Sequence, residues 1–369
     1  MDGVILLEKG RISARQFMLL VFMYSLGTSI IVNPSLTAYY ASMDAWITCI
    51  ISSIIGVGIV FLLIRVSSMD EKKNLFELME FALGKFIGKV VILLFLFFML
   101  FLTATNLRQI GDFMTTQIMV DTPIQFIMLL FALTSLYGIK LGLEVIGRSC
   151  EIFFPYAIVS LILLIVLVSP EADFTKIKPI LEDRASAAFA TVIPTLGIPY
   201  FELIVFLAII PYVNAFKKAK KGFYIGTIVA SFMILLITLM CLAVLGAEFT
   251  GRQVYPTYIL GKKISIANFL ERIEILVAIA WFFTIFFKIT VNFYVLSLGF
   301  SHFFKLKNVS TLSTPLSFIL IILGLISYPN IIYYQEMIAY YWVFFAATMG
   351  LCLPLVILIV GKIRQKKKE

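Results

Sequence analysis

A chain of 369 residues that is 61% hydrophobic and only 14% charged, with a mean hydropathy of +1.03, has lipid as its preferred solvent. This composition excludes an ordinary water-soluble domain and describes a polytopic membrane protein. The net charge of +9 is held in short basic clusters between apolar runs rather than on one continuous face, which argues against nucleic acid as a partner. Cys49, Cys150, Cys241 and Cys352 lie in or beside separate apolar runs, with no spacing suited to a metal and no disulfide framework.

Apolar runs of roughly 18 to 28 residues, each long enough to cross a bilayer, recur along the chain. They fall near 14–36, 44–64, 88–118, 123–140, 150–168, 187–212, 222–247, 272–300, 312–329 and 337–361. This predicts an all-α protein of ten transmembrane helices. Lys9, Arg11 and Arg15, then Arg65, Lys72, Lys73, Lys85 and Lys89, then Lys140 and Arg148, Lys217 to Lys221, Lys305 and Lys307, and Lys362 to Lys368 fall on one side of such a topology. By the positive-inside rule both termini are cytoplasmic. No small-residue cleavage site follows the first apolar run, which reads as a retained span rather than a signal peptide.

The first span carries a weak point at Leu26-Gly27-Thr28-Ser29, a glycine beside two hydroxyls able to bond freed backbone groups, with Asn33-Pro34 further on. Small hydroxyl residues also serve plain helix packing. Between spans two and three, residues 74–85 form an amphipathic helix too short to span, expected in the cytoplasmic interface with Glu77 and Glu80 on its polar side. Arg108 and Asp112 in span three have the i,i+4 spacing of a structural or gating ion pair. Glu144, Arg148 and Glu151 form a second charged cluster at the start of span five, read as a salt-bridge network. The loop 169–186 is mixed in sign, with Glu171, Asp173, Glu182 and Asp183 against Lys176, Lys178 and Arg184.

The most informative stretch is Val192-Ile-Pro-Thr-Leu-Gly-Ile-Pro-Tyr-Phe-Glu202 in span six. Pro194 and Pro199 withhold backbone donors on either side of Gly197, so no regular helix runs through uninterrupted. Open carbonyls and amides in hydrocarbon cost several kcal/mol each, so the break must be covered by protein or line a wet cavity. Glu202 follows one turn later, at a depth where a carboxyl needs a partner, a proton or a ligand. A Pro kink with a structurally paired Glu is the plainer alternative.

Spans one and six are each the first of five, and both are broken. That is how a five-plus-five inverted repeat looks in sequence, here 14–168 and 187–361. The segment 247–270, with Gly251, Pro256 and Gly261 as breaks, is long enough to form an outer loop or lid. Span eight holds Lys288 roughly a dozen residues from either end, beyond the reach of snorkelling, with Thr284, Thr290 and Asn292 nearby. Glu202 is its natural partner. His302 sits at the inner end of this span, so any proton path relies on Glu202, Lys288 and water. Trp46 and Trp342 open their spans as interface anchors do, and Tyr328 to Glu336 reads as a short outer turn.

Enzyme signatures are missing. There is no Gly-x-Ser-x-Gly elbow, paired-His metal motif, phosphate-cradling loop or dinucleotide fingerprint, and no barrel alternation. The expectation is a non-enzymatic protein with neither cofactor nor metal and with a small-molecule site between helices. Freed amides at a half-helix N-terminus suit a carboxylate, and freed carbonyls with Glu202 suit an ammonium, so an amino acid fits such a site.

Several segments taken in order resemble the B-subunit family of bacterial spore germinant receptors, relatives of amino-acid permeases in the APC superfamily. They are Gly10-Arg-Ile-Ser-Ala-Arg-Gln-Phe17, Asp44-Ala-Trp46, the segment 74–83 with Gly84-Lys-Phe-Ile-Gly-Lys89, Thr122-Pro123, Gly142-Leu-Glu144 with Gly147-Arg148, and Pro194/Gly197/Pro199/Glu202. The resemblance implies a LeuT/APC-like fold, with spans one and six unwound around a nutrient pocket. It implies a subunit of the spore inner membrane that senses a germinant, commonly an amino acid, beside an A subunit and a lipoprotein C subunit. Carried over by position, Gly27, Thr28, Ser29, Leu196, Gly197 and Tyr200 line the pocket, with Thr284 and Lys288 from span eight. Lys288 stands near the position where sodium-coupled relatives bind their cation, a departure that speaks against sodium dependence. A proton-coupled amino-acid permease of the same superfamily is the alternative function.

Overall fold

A computed structural model describes residues 10–181, 185–263 and 272–366. Lys9, the loop charges Glu182, Asp183 and Arg184, residues 264–270 of the expected lid, and Lys367 and Lys368 lie outside the described residues. The rest is helical, with a single isolated bridge between Ile12 and Val213. Among the described residues eight helical stretches are long and apolar enough to cross a membrane, and Ala14–Leu26 and Ser313–Ile326 are shorter apolar helices.

Helix α1 (Ala14–Leu26) begins in a capping box: Ser13 Oγ accepts from the Gln16 amide at 3.1 Å, and Gln16 Oε1 accepts from the Ser13 amide at 2.8 Å. Gln16 Nε2 then donates to Glu151 Oε2 at 2.9 Å, tying the start of α1 to α7 (Leu143–Val168). Ser13→Ala is expected to cost about 1 kcal/mol, the usual worth of an N-cap, read as a lower denaturation midpoint. The cluster read around Glu144 divides in two. Arg148 pairs with Glu144 at 2.6 Å, while Glu151 faces Arg15 and Gln16.

Gly27 and Thr28 separate α1 from α2 (Ser29–Ala41), so the first break falls where the sequence places it. Pro34 lies inside α2 without ending it. Helix α3 (Ala45–Ser67) follows, then α4 (Leu75–Leu83), whose Asn74 cap accepts from the Phe76 and Glu77 amides. The apolar side of α4 is covered by protein, with Leu75, Phe76, Leu78, Met79 and Ala82 fully buried. Phe76 packs against Phe95 of α5 (Lys85–Phe113) and stacks on His302. Helices α6 (Ile124–Leu141) and α7 complete the first half.

In span six, α8 (Ala185–Gly197) runs straight through Pro194, and the break falls later, at residues 198–200. One interior proline removes one hydrogen bond, whereas Gly197 followed by Pro199 removes helix support at adjacent turns. Beyond the break the chain continues as 3-10 helix over Phe201–Ala208 instead of a second α-helix. Helix α9 (Phe216–Leu245) leads to two short helices, α10 (Ala247–Arg252) and α11 (Pro256–Lys262), within the expected lid. Then come α12 (Glu274–Phe303) and α13 (Ser313–Ile326).

The final span departs most from expectation. Residues read as an outer turn already form helix α14 (Ile331–Met337), followed by a π-helical turn at Ile338–Trp342, a short α-helix at Val343–Ala347, a second π turn at Thr348–Cys352, and a last helix to Lys366. Asn330 caps the start, its side chain accepting from the Tyr333 amide. Trp342 is no lipid-interface anchor. It is buried and stacked on Phe98, with centroids 5.3 Å apart, because the span begins six residues earlier than expected and carries the indole into the bundle.

The described termini share one end of the bundle: Ile12 bonds to Tyr212, Lys220 to Ser68, and Gln365 to the Met69 carbonyl. Asp44 with Leu181 and Asp173 with Ala243 mark the opposite end.

Candidate functional site

The two breaks face α12. Trp281 Nε1 donates to the Gly27 carbonyl at 2.6 Å, satisfying an acceptor that the first break sets free. Thr28 Oγ1 donates to Asn106 Oδ1 on α5 at 3.1 Å. Two turns further along α12, the Lys288 ammonium lies 2.6 Å from Glu202 Oε2, with both side chains at 0–1% exposure. The stem of Lys288 runs over Gly27, where an added Cβ would collide with its Cδ, so the glycine that weakens span one also makes room for the lysine. The ammonium also stands 5.3 Å from the centroid of Tyr24, whose hydroxyl donates to Asn292 Oδ1 at 2.8 Å. The buried charges are therefore compensated by each other and by the aromatic face of Tyr24.

Beside Glu202 is a cavity of ≈ 10 Å³, room for about one water, lined by Thr28, Asn106, Ile198, Tyr334 and Trp342 among others. Asn106 Nδ2, on the cavity wall, is buried with no protein hydrogen-bond partner, as is Ser29 Oγ, next in the chain to Thr28. Each such group costs about 1–3 kcal/mol, so this corner of the bundle is chemically suited to a polar ligand.

Of the residues expected in the pocket, Gly27, Thr28, Ser29, Glu202 and Lys288 come together around the first break. Thr284 is on the same helix but bonds back to the Trp281 carbonyl. Tyr200 is directed elsewhere, its hydroxyl bonded to Ser53 on α3 and Ser231 on α9 and its ring seated over Gly56. The turn at 198–200 rotates it away from the face that carries Glu202. Gly197 lies against Val343 and Trp342, and Leu196 is buried in the core. Arg108 and Asp112 do pair, at 3.0 Å, but their other partners are the Leu325 carbonyl and the Tyr328 hydroxyl, so the pair braces α5 to the end of α13.

Tyr24, Asn106, Trp281, Tyr334 and Trp342 are site residues that the sequence reading did not assign. Trp281, Thr284, Lys288 and Asn292 repeat at helical spacing on one face of α12, a legible signal once Lys288 is singled out. Tyr334 and Trp342 carried none, since both sit in a segment that reads as a turn and an anchor.

This architecture, an apolar helical bundle with two broken spans, is the LeuT fold. The chain matches the structure of MhsT in complex with L-phenylalanine with a TM-score of 0.70 at 15% identity, covering 95% of this chain and 99% of that one. It matches Mhp1, a nucleobase-cation-symport-1 family transporter, in a closed conformation with a TM-score of 0.68 at 10% identity, over 91% and 77% of the two chains. At such identities the likeness is one of fold. The family is settled by sequence: residues 11–332 match the model of the spore germination protein family, and the chain belongs to it. Spore germination protein KB of Bacillus subtilis is 27% identical over 98% of both chains, and YndE of the same organism is 22% identical over 81% and 83%. The family expected from the ordered motifs is thus the one found, and the protein is a membrane protein of the germinant-receptor B-subunit or permease-like type.

Proposed function

We propose that this chain is the membrane subunit of a nutrient germinant receptor of the spore inner membrane, with ten spans in two five-span repeats and both termini cytoplasmic. It binds a small germinant, an amino acid, between the broken spans and passes the resulting change of shape to an A subunit and a lipoprotein C subunit. The observation that carries this reading is the buried Lys288–Glu202 pair at 2.6 Å between the two breaks. A zwitterion offers the same two charges. Its ammonium can replace Lys288 on Glu202, and its carboxylate can take the donors around Thr28 and Asn106. Because the Lys288 ammonium already pairs with Glu202 when no ligand does, the cycle needs no sodium.

Glu202→Gln is expected to lower affinity for the bound amino acid by about 10–100-fold, the worth of one charge-assisted hydrogen bond, while the protein still reaches the membrane. Equilibrium binding to the purified protein against a panel of labelled amino acids reads this. An unchanged affinity removes Glu202 from the site. The shared fold with transporters favours one second reading, a proton-coupled amino-acid permease. Concentrative uptake by vesicles containing this chain alone would support it over the receptor.

A further inference from the structure

A second cavity lies toward the end of the bundle opposite the described termini, between α2, α10 and the start of the final span. Its volume is ≈ 370 Å³, within the range of small-molecule sites, whereas the cavity beside Glu202 holds about one water. A constriction of ≈ 20 Å³ walled by Gln109, Tyr255, Trp281 and Tyr334 lies between them. The three spaces adjoin one after another: Ser35 and Gln335 border both the outer cavity and the constriction, and Tyr334 borders both the constriction and the Glu202 cavity. Whatever reaches Glu202 by this route stops first in the outer cleft.

The cleft has its own recognition chemistry. Tyr39, Tyr40 and Tyr340 present aromatic faces, with Tyr40 and Tyr340 edge to face at 6.4 Å. Glu336 lines it, exposed, with no basic side chain in salt-bridge range among the described residues. Arg252 lines it too, and its partner Glu248 is a neighbour one turn away in a pair that is 73% and 79% exposed. Such exposed pairs are worth at most about 1 kcal/mol, so the guanidinium is readily recruited by another carboxylate.

We infer that this cleft is a second binding site, an antechamber that takes a small zwitterion with an apolar side chain. The ammonium faces Glu336, the carboxylate faces Arg252 and the side chain lies on the tyrosines. The inference rests on the reading that the Glu202 site takes the same class of ligand, and it adds a separate, earlier station on the path.

The test uses the full chain in detergent with Cys352→Ser and Ile332→Cys, which places one reactive thiol on the cleft wall, where Ile332 is 65% exposed. Labelling by a charged methanethiosulfonate is followed with L-phenylalanine, phenethylamine or 3-phenylpropionate present. L-Phenylalanine is expected to slow labelling at least threefold and the single-charge analogues to have little effect. Glu336→Gln should abolish the protection, with Arg252→Gln as a second variant on an exposed helix. Protection that survives when both members of the buried pair are replaced, Lys288→Met with Glu202→Gln, establishes the cleft as a site of its own. Protection lost in that double variant, equal protection by all three probes, or none by L-phenylalanine overturns the antechamber. The reading of the Glu202 site fails on a different result, an unchanged equilibrium affinity in Glu202→Gln.

Discussion

Lys288→Met is expected to destabilise the protein by about 3–5 kcal/mol and to abolish its response to ligand. That is the usual cost of leaving one member of a buried ion pair without its partner. Lys288 and Glu202 meet at 2.6 Å with 0–1% exposure, so bulk solvent cannot take over the carboxylate. Methionine keeps the unbranched stem that packs over Gly27, so a loss reports the missing charge rather than a hole. The double variant Lys288→Met with Glu202→Gln removes both charges and should recover most of the stability, because a buried pair replaced as a unit costs far less than a pair broken. It should not recover the response to ligand. Thermal unfolding of the two variants, with the ligand response of each, reads both effects. Equal destabilisation in the single and double variants would mean that the two groups do not act as a pair.

The pair also explains how a small ligand can move so large a molecule on the proposed reading. A near-complete switch between two conformers needs a ligand to prefer one of them by about 5.5 kcal/mol. A zwitterion that merely filled an open pocket would have no reason to discriminate. One that displaces Lys288 from Glu202 exchanges an internal contact for an external one and frees the lysine to find a new place, so its binding energy differs between the two conformers. The freed ammonium is carried on α12, whose far end stacks His302 on Phe76 of α4. A shift of that rigid helix reaches the end of the bundle that holds the described termini.

How much of this was legible in the sequence follows from what each feature depends on. The break at Gly27-Thr28, the broken sixth span and the depth of Glu202 and Lys288 rest on local chemistry: missing donors, missing Cβ atoms and charges far from any apolar boundary. Local rules see such features. The position of the second break, after Gly197 rather than at Pro194, depends on whether neighbouring helices can tolerate one lost hydrogen bond, which the sequence does not state. By position Tyr200 belongs with the pocket residues, but its side chain follows the turn and bonds to Ser53 and Ser231. Trp342 was hidden because helix α14 starts at an Asn cap inside what reads as a turn, and the two π turns that follow reset the phase of every later residue.

Those π turns set up the second large effect. At the turn Thr348–Cys352, Gly350 meets the main chain of Phe201, the residue before Glu202, so closely that a Cβ would overlap the Phe201 carbonyl. Backbone cannot swing aside as a side-chain tip can, so Gly350→Ala is expected to cost about 1–3 kcal/mol or more through overpacking. The displaced atoms belong to the segment that aims Glu202 at Lys288. Ligand affinity should therefore fall with stability, although Gly350 does not line the Glu202 cavity. Cys352→Ser, exposed on the same π turn, is the matched control and should change neither. Melting temperature and binding affinity measured side by side decide the matter. If Gly350→Ala melts like the parent protein and binds like it, then the close approach of the last span to the broken segment does not hold the site in place.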